Sequence, residues 1–270
     1  MLALKFRKAN SFTRLTLTLQ TMQAKISIVP RWNVLLILLF SVSLVLDKSR
    51  AGFPDIGLGA RPMGMGGAFV AVADDINSIF WNPAGISQIQ RVEFSSMYFN
   101  PYGLNVNSQL LSGAFQHPLD GGIGMAILRT GEIDFYEEKT LILSLGQDIS
   151  SFTNTEISIG VNLKSFQQSM PNYDLKDKFF EKGNSWNHRA YDAGFLWHAH
   201  SLIDIGGMAT NIVDDKSIAP LYRVGCAVFP REIVSIALEG TQRHRSGSFV
   251  QQSLRIGSEY KPIVTRTGYL

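Results

Sequence analysis

The chain has 270 residues, 45% of them hydrophobic and 17% charged, with a formal net charge of +3 and a single cysteine. The positive excess sits in the first 51 residues, which hold eight of the 25 Lys and Arg but only one, Asp47, of the 22 Asp and Glu. The rest carries a net charge of −4, so it offers no nucleic-acid footprint, and Cys226 alone can form no intrachain disulfide.

Residues 1–51 read as an export leader. Six basic residues from Lys5 to Arg31 precede the apolar run VLLILLFSVSLVL, Val34 to Leu46, and Ser49-Arg50-Ala51 supplies small residues for cleavage after Ala51. The run is shorter than the roughly 20 residues a spanning helix needs. The leader is long, which leaves Met22 as an alternative start. About 220 residues remain, enough for one sizeable domain or two small ones.

Residues 52–90 form a glycine-rich, apolar stretch containing GARPMGMGGAFVAVADDINSIFWNPAGIS, Gly59 to Ser87. It is not a dinucleotide-binding loop. Phe69 stands where the third glycine of G-x-G-x-x-G belongs, and Pro54 and Pro62 break any strand feeding the turn. Gly64, Gly66, Gly67 and Gly85 permit tight turns and close backbone packing, Asp74 or Asp75 can cap the turn INSIF, and Asn82 before Pro83 repeats the capping logic. Phe69, Ile79, Phe80 and Trp81 need cover.

From Arg91 the chain becomes a ladder of segments of about 10 to 16 residues that alternate apolar and polar, the signature of half-buried strands. Ile157, Ile159, Val161 and Leu163 share one face, and Tyr191, Ala193, Phe195 and Trp197 share another. Tyr222, Val224, Cys226 and Val228 do the same, as do Val250, Leu254, Ile256 and Tyr260. The opposite faces are rich in Gly, Ser, Ala and Asn, which suits a crowded barrel interior better than a water-facing sheet, with Asp192, Arg223, Arg255 and Glu259 as polar residues facing the lumen. The segments 106–117 and 121–129 alternate less cleanly.

The expected strands are 91–102, 106–117, 121–130, 139–149, 154–168, 188–199, 202–211, 219–229, 232–242, 248–260 and an eleventh from 263. HPLDGG, SSFTNT, HAHS, FPRE and YKP are tight connections; those between them are mostly longer and polar, with NPYGLN the exception. Short turns on one side and long loops on the other are how outer-membrane barrels are built, so residues 91–270 read as a transmembrane antiparallel β-barrel and residues 52–90 as a plug, or hatch, within it.

The residues Gly59, Ala60, Arg61, Gly64 to Ala68, Ala73 to Asp75 and Trp81 to Gly85 closely resemble the N-terminal signature of the PorV/PorQ-like proteins, within the wider FadL superfamily of outer-membrane barrels. The resemblance implies an all-β fold of nominally fourteen strands with an N-terminal hatch; the ten to eleven strands counted here then imply a truncated version. It implies a location in the bacterial outer membrane and a role in protein secretion or cargo attachment, as in type IX secretion. Its partners would be membrane lipid and secretion-system proteins. The alternative within the superfamily is uptake of small hydrophobic molecules.

Chemistry is otherwise sparse. His198 and His200 stand at i, i+2 with His188 and Asp192 on the same parity, but the pair sits at a tight turn and His188 lies about a strand's length away, so no metal site is expected. No G-x-S-x-G occurs, and neither an enzyme nor a cofactor is expected. Asp74 and Asp75 read as structural, with Arg129, Arg223 or Arg255 as expected partners across the lumen.

Overall fold

The computed structural model describes residues 57–100, 106–132, 136–153, 155–170, 185–212, 220–231, 233–245, 249–261, 264–265 and 268–269. The expected leader lies outside the described residues.

Ten strands form one antiparallel sheet in simple chain order, β1 to β10. They are β1 Glu93–Phe99, β2 Asn107–His117, β3 Gly121–Glu132, β4 Tyr136–Asp148, β5 Ile157–Ser169, β6 Ser185–His200, β7 Ile203–Ile212, β8 Leu221–Arg231, β9 Val234–Arg245 and β10 Phe249–Tyr260. Each strand pairs with the next, so β1 and β10 are the end strands of the ladder. The eleventh strand expected from 263 is not part of this sheet. Val264–Thr265 and Gly268–Tyr269 form a two-stranded pair of their own, β11 and β12.

The sheet has two unlike faces because the side chains alternate with period two. One face leaves Phe94, Leu111, Met125, Leu143, Leu163 and Leu254 open, and Leu254 is 70% exposed. Leaving each such side chain in water forfeits roughly 1.5–3 kcal/mol. Hydrocarbon removes that cost, and strands of ten to thirteen residues are long enough to cross it when tilted. Tyr191, Phe195 and Trp197 lie on this open face together with Ile159 and Val161, as the alternation requires.

The other face is covered by residues 57–90. Here the reason for the poor alternation in β2 and β3 becomes visible: Leu110, Ala114 and Ala126, with Ile142 of β4, are apolar on the covered side as well, because they pack against Ile79, Ile86 and Ile89. Both faces of these strands meet apolar surroundings, and the polar half of the pattern disappears.

Several strands run further than expected at the long-loop end. β3 and β4 extend to Glu132 and from Tyr136, leaving only 133–135 between them, and β9 continues to Arg245. The charges of TGEIDFYEEKT and TQRHRSGS had marked these stretches as loop. Their described residues, 130–132, 136–140 and 241–245, belong to strands, and charge there signals the end of the apolar belt rather than the end of pairing. In SSFTNT the turn contains one short helical turn at Ser150–Thr153.

Candidate functional site

The N-terminal segment is built from turns, as its glycines and prolines demand. Helix α1 spans Ala60–Gly64, α2 spans Ser78–Trp81, and a 3-10 helix spans Pro83–Gln88. Gly66 and Gly67 take φ values of 61° and 75°, a conformation costly for residues with a β-carbon. Asn82 caps as expected: its Oδ1 accepts from Ala84 N at 3.2 Å with Pro83 at the first helical position. Asp75 Oδ1 accepts from Asn77 N at 2.8 Å and so caps the turn INSIF, while Asn77, at the N-cap position of α2, makes no side-chain capping bond.

The seat of this segment is a row of glycines. Gly122 pairs with Gly146, Gly146 with Gly160 and Gly160 with Gly194, so four neighbouring strands present glycine side by side. Gly206 pairs with Gly225 two strands on. Backbone of the segment lies in this trough. A β-carbon at Gly146 would come within 2.6 Å of the Pro83 carbonyl oxygen, and one at Gly160 would overlap Ala84 N. At Gly206 it would overlap the Val70 carbonyl, and at Gly257 that of Met65. Main chain packs on main chain across the sheet, an approach only glycine allows. Gly85 serves the same end inside the segment, where a β-carbon would overlap the Ala73 carbonyl; Gly64 has open space around it.

Polar side chains then fix the segment at defined points. Asn82 Nδ2 donates to Val70 O at 2.8 Å and to Phe195 O at 2.9 Å, joining two parts of the segment to β6. Asn162 Nδ2 donates to Ile79 O at 2.9 Å and to Asp192 Oδ2 at 2.8 Å. Asp192, wholly buried, also pairs with Lys164 at 2.7 Å and accepts from Asn211 N at 2.9 Å. That last bond explains a bulge: Asp192 stands opposite both Thr210 and Asn211, and Asn211 takes φ 55°. Glu239, 1% exposed, accepts from both Phe69 N and Val70 N at 2.9 Å. Arg255 lies 3.5 Å from its Oε1 and Arg223 3.8 Å.

Trp81 ties these together. Its Nε1 donates to Leu58 O at 2.7 Å, its ring meets Phe69 edge-on with centroids 6.2 Å apart, and the Arg223 guanidinium stacks 4.4 Å over it.

At the short-turn end the partners of the two aspartates differ from expectation. Arg61 holds both, Asp75 at 2.8 Å and Asp74 directly, and reaches Glu259 of β10 through Nε at 2.7 Å and Nη2 at 2.9 Å. Burial alone would lower the Arg61 pKa, but bonds to Glu259 and Asp74 outweigh it and hold the guanidinium charged above its ordinary range. Lys261 adds a contact to Asp74 at 3.2 Å. Arg129 is not an inward partner: it shares parity with the open-face residues Met125 and Ile127 and pairs with Glu137. Arg223 and Arg255 belong to Glu239. The aspartates are thus held within their own segment and by β10, since Arg61 lies thirteen residues from Asp74, far nearer than the opposite wall.

Asp192, Arg223, Arg255 and Glu259, expected to face a lumen, lie on the face that residues 57–90 cover. Not among the expected residues were Glu239, Asn162 and Glu93, whose Oε2 accepts from Ile76 N at 3.0 Å. An acid or amide on the small-residue face of IALEGTQ and IGVNLKS was the signal available. His198 Nδ1 lies 2.8 Å from Asp204 Oδ1. Among the described residues no cluster of three or more His, Cys, Asp or Glu is arranged to hold a metal.

Between this segment and the long-loop ends of the strands lies a cavity of about 90 Å³. Leu58, Phe80 and Trp81 form its floor. Leu128, Ile142 and Phe166 give it apolar walls, and Thr130, Thr140 and Thr210 add hydroxyls.

Asn82→Ala removes one acceptor and two donated bonds at a site with no exposure. The expected result is a loss of about 2–4 kcal/mol, set by carbonyls and an N–H left unpaired. The temperature at which the folded gel band converts to the unfolded one measures it, and an unchanged temperature counts against the assigned role.

No protein-family model matches the chain, and no curated protein matches it by sequence. Among solved structures it is similar to the CymD monoaromatic hydrocarbon channel, with a TM-score of 0.50 and 12% identity over 78% of this chain and 76% of that one. At that identity the likeness concerns fold. Ten antiparallel strands, an apolar open face and this likeness define the class: an all-β protein with the fold of outer-membrane channels. The likeness reaches no further than the fold, and the FadL-superfamily and PorV/PorQ expectations have the sequence signature alone behind them.

Proposed function

We propose that the chain closes as an outer-membrane β-barrel that passes small hydrophobic molecules, with residues 57–90 as its hatch and no catalytic activity. The observation that carries this reading is the mixed apolar cavity between the hatch and the long-loop ends of the strands, lined on the hatch side by Leu58, Phe80 and Trp81. A ligand arriving from the long-loop side meets the hatch first. Passage then requires the hatch to move, which means breaking its hydrogen bonds and ion pairs to the sheet and parting its apolar contacts with the strands. The name of the CymD channel, a monoaromatic hydrocarbon channel, agrees with this class of cargo. Closure into a barrel follows from cost, because unpaired strand edges in hydrocarbon are expensive. Delivery to the membrane would use the leader at 1–51 with cleavage near Ala51.

The second reading, protein secretion or cargo attachment with secretion-system partners, has the signature from Gly59 to Ser87 in its favour. A deletion strain separates the two. Loss of uptake of small hydrophobic compounds, with secretion of proteins bearing C-terminal sorting signals intact, is the expected outcome. The reverse pattern would transfer the assignment to secretion.

A further inference from the structure

Resting on the barrel reading, we infer that the hatch is also the clasp of the wall: Arg61 ties the first strand of the ladder to the last, so that seating the hatch draws the seam between β1 and β10 together and lifting it at this end lets the seam part. Ten strands laid flat, about 4.8 Å apart, would put β1 and β10 about 43 Å from each other. Ladder pairing does not join them, since among the described residues each is paired on one side only. The hatch does. Glu93, the first residue of β1, accepts from Ile76 N at 3.0 Å, and Asp75, next to Ile76 in the chain, holds Arg61 at 2.8 Å. Arg61 in turn grips Glu259, near the end of β10, through Nε at 2.7 Å and Nη2 at 2.9 Å. Laid end to end, these contacts leave the carboxylates of Glu93 and Glu259 no more than about 16 Å apart. The sheet is therefore strongly curled, and side chains of the hatch span what remains between its ends.

Packing reaches the same two strands. Met97 and Phe99 of β1 lie against the cluster that contains Ile76 and Ile79, and a β-carbon at Gly257 of β10 would overlap the Met65 carbonyl. Lys261, just past β10, adds a second tie, 3.2 Å from Asp74. Phe94 and Tyr98 of β1 and Leu254 and Ile256 of β10 are the most exposed outward side chains of the ten strands among the described residues, from 67% to 81%. No neighbouring strand covers them across the seam.

Arginine suits this place because its planar fork holds two carboxylates at once in a fixed geometry. Arg61 is 21% exposed, so water competes weakly for its bonds. With an apolar side chain in its place, Asp74, Asp75 and Glu259 would face one another with Lys261 as their remaining cation. Like charges would then push the hatch and β10 apart at the point where the seam is held.

The test uses the full chain in liposomes, carrying Cys226→Ser, with spin labels on Ser96→Cys and Ser258→Cys, exposed positions of β1 and β10. Double electron–electron resonance should give one narrow distance, well short of the flat-sheet value. Arg61→Met should lengthen or broaden it by roughly one strand spacing, about 5 Å. Glu259→Gln, which keeps the shape and removes the charge, should act in the same direction by less, and it carries the test if Arg61→Met does not fold. Glu239→Ala loosens the hatch at Phe69 and Val70 and should leave the distance unchanged. A distance indifferent to the Arg61 and Glu259 variants overturns the clasp, as does an equal lengthening by Glu239→Ala, because any loosening of the hatch would then suffice. Failure of the two readings looks different: a flat-sheet distance in the labelled parent sinks barrel closure itself, whereas a short distance that ignores Arg61 sinks the clasp alone.

Discussion

Gly160→Val is expected to unseat the hatch, and it should be among the most damaging single changes available outside the apolar belt. A β-carbon there would overlap Ala84 N and the Pro83 carbonyl group, and both are main-chain atoms. Main chain cannot rotate away as a side chain can. Pro83 has a fixed φ, and the Asn82 cap and its bonds to Val70 and Phe195 hold the turn from the other side. Gly146 and Gly194 flank Gly160 in the same row, so sliding along the trough meets the same floor. Overpacking of this kind costs about 3 kcal/mol or more when no rotamer relieves it. The hatch would lift at its 3-10 helix rather than the sheet unfold, because β5 keeps its ladders to β4 and β6. Two measurements follow: raised single-channel conductance in planar bilayers, and faster proteolysis within 57–90. Gly240→Val is the control, since its β-carbon would meet nothing closer than the Val224 carbonyl oxygen at 3.9 Å. Equal behaviour of the two variants would mean that the glycine row is not the seat.

The same row explains what the sequence could and could not convey. Strand positions were legible because period-two alternation depends on nothing but burial on one side. β5, β6, β8 and β10 came out close to their true spans for that reason. The small residues facing Ile159 and Phe195 pointed to a crowded interior, but cross-strand register decides whether glycines fall side by side, and register is not written in any one strand. Gly122, Gly146, Gly160 and Gly194 are spread over 73 residues and become one trough only when four strands are aligned. Ion pairs followed the same rule. Asp74 and Asp75 announced a need for cations, yet Arg129, Arg223 and Arg255, all expected to face the lumen, were equally eligible from sequence. Arg61 won because α1 folds back over the same turn, a proximity that the hatch's irregular path hides. Strand ends failed for a simpler reason: Tyr136 to Lys139 carry charge because they lie beyond the apolar belt, and pairing continues there without it.

Glu239→Ala is the second change with a large expected effect, and its physics is electrostatic. The carboxylate accepts two successive backbone N–H groups, from Phe69 and Val70, and stands between Arg255, its direct neighbour on β10, and Arg223. With 1% exposure it has no water to share. Truncation leaves two buried donors unpaired and the 2%-exposed Arg223 without its carboxylate, and breaking a buried pair in this way costs about 3–5 kcal/mol. The loss should concentrate on the stretch around Phe69 to Val72, since the Asn82 and Asn162 anchors act on other points of the hatch. Adding Arg223→Met should recover part of it, because the double variant removes the uncompensated charge along with its former partner. Denaturant unfolding in detergent, with the four proteins compared as a double-mutant cycle, reads the coupling directly. Strictly additive losses would mean that Arg223 does not depend on Glu239 and that Glu239 serves only the two N–H groups. A coupling above about 1 kcal/mol places Glu239 and Arg223 in one unit, the range found for residues sharing a network. In that case the hatch is held at this point by a buried charge balance, and any ligand or variant that disturbs Arg223 above Trp81 also weakens the grip of Glu239 on Phe69 and Val70.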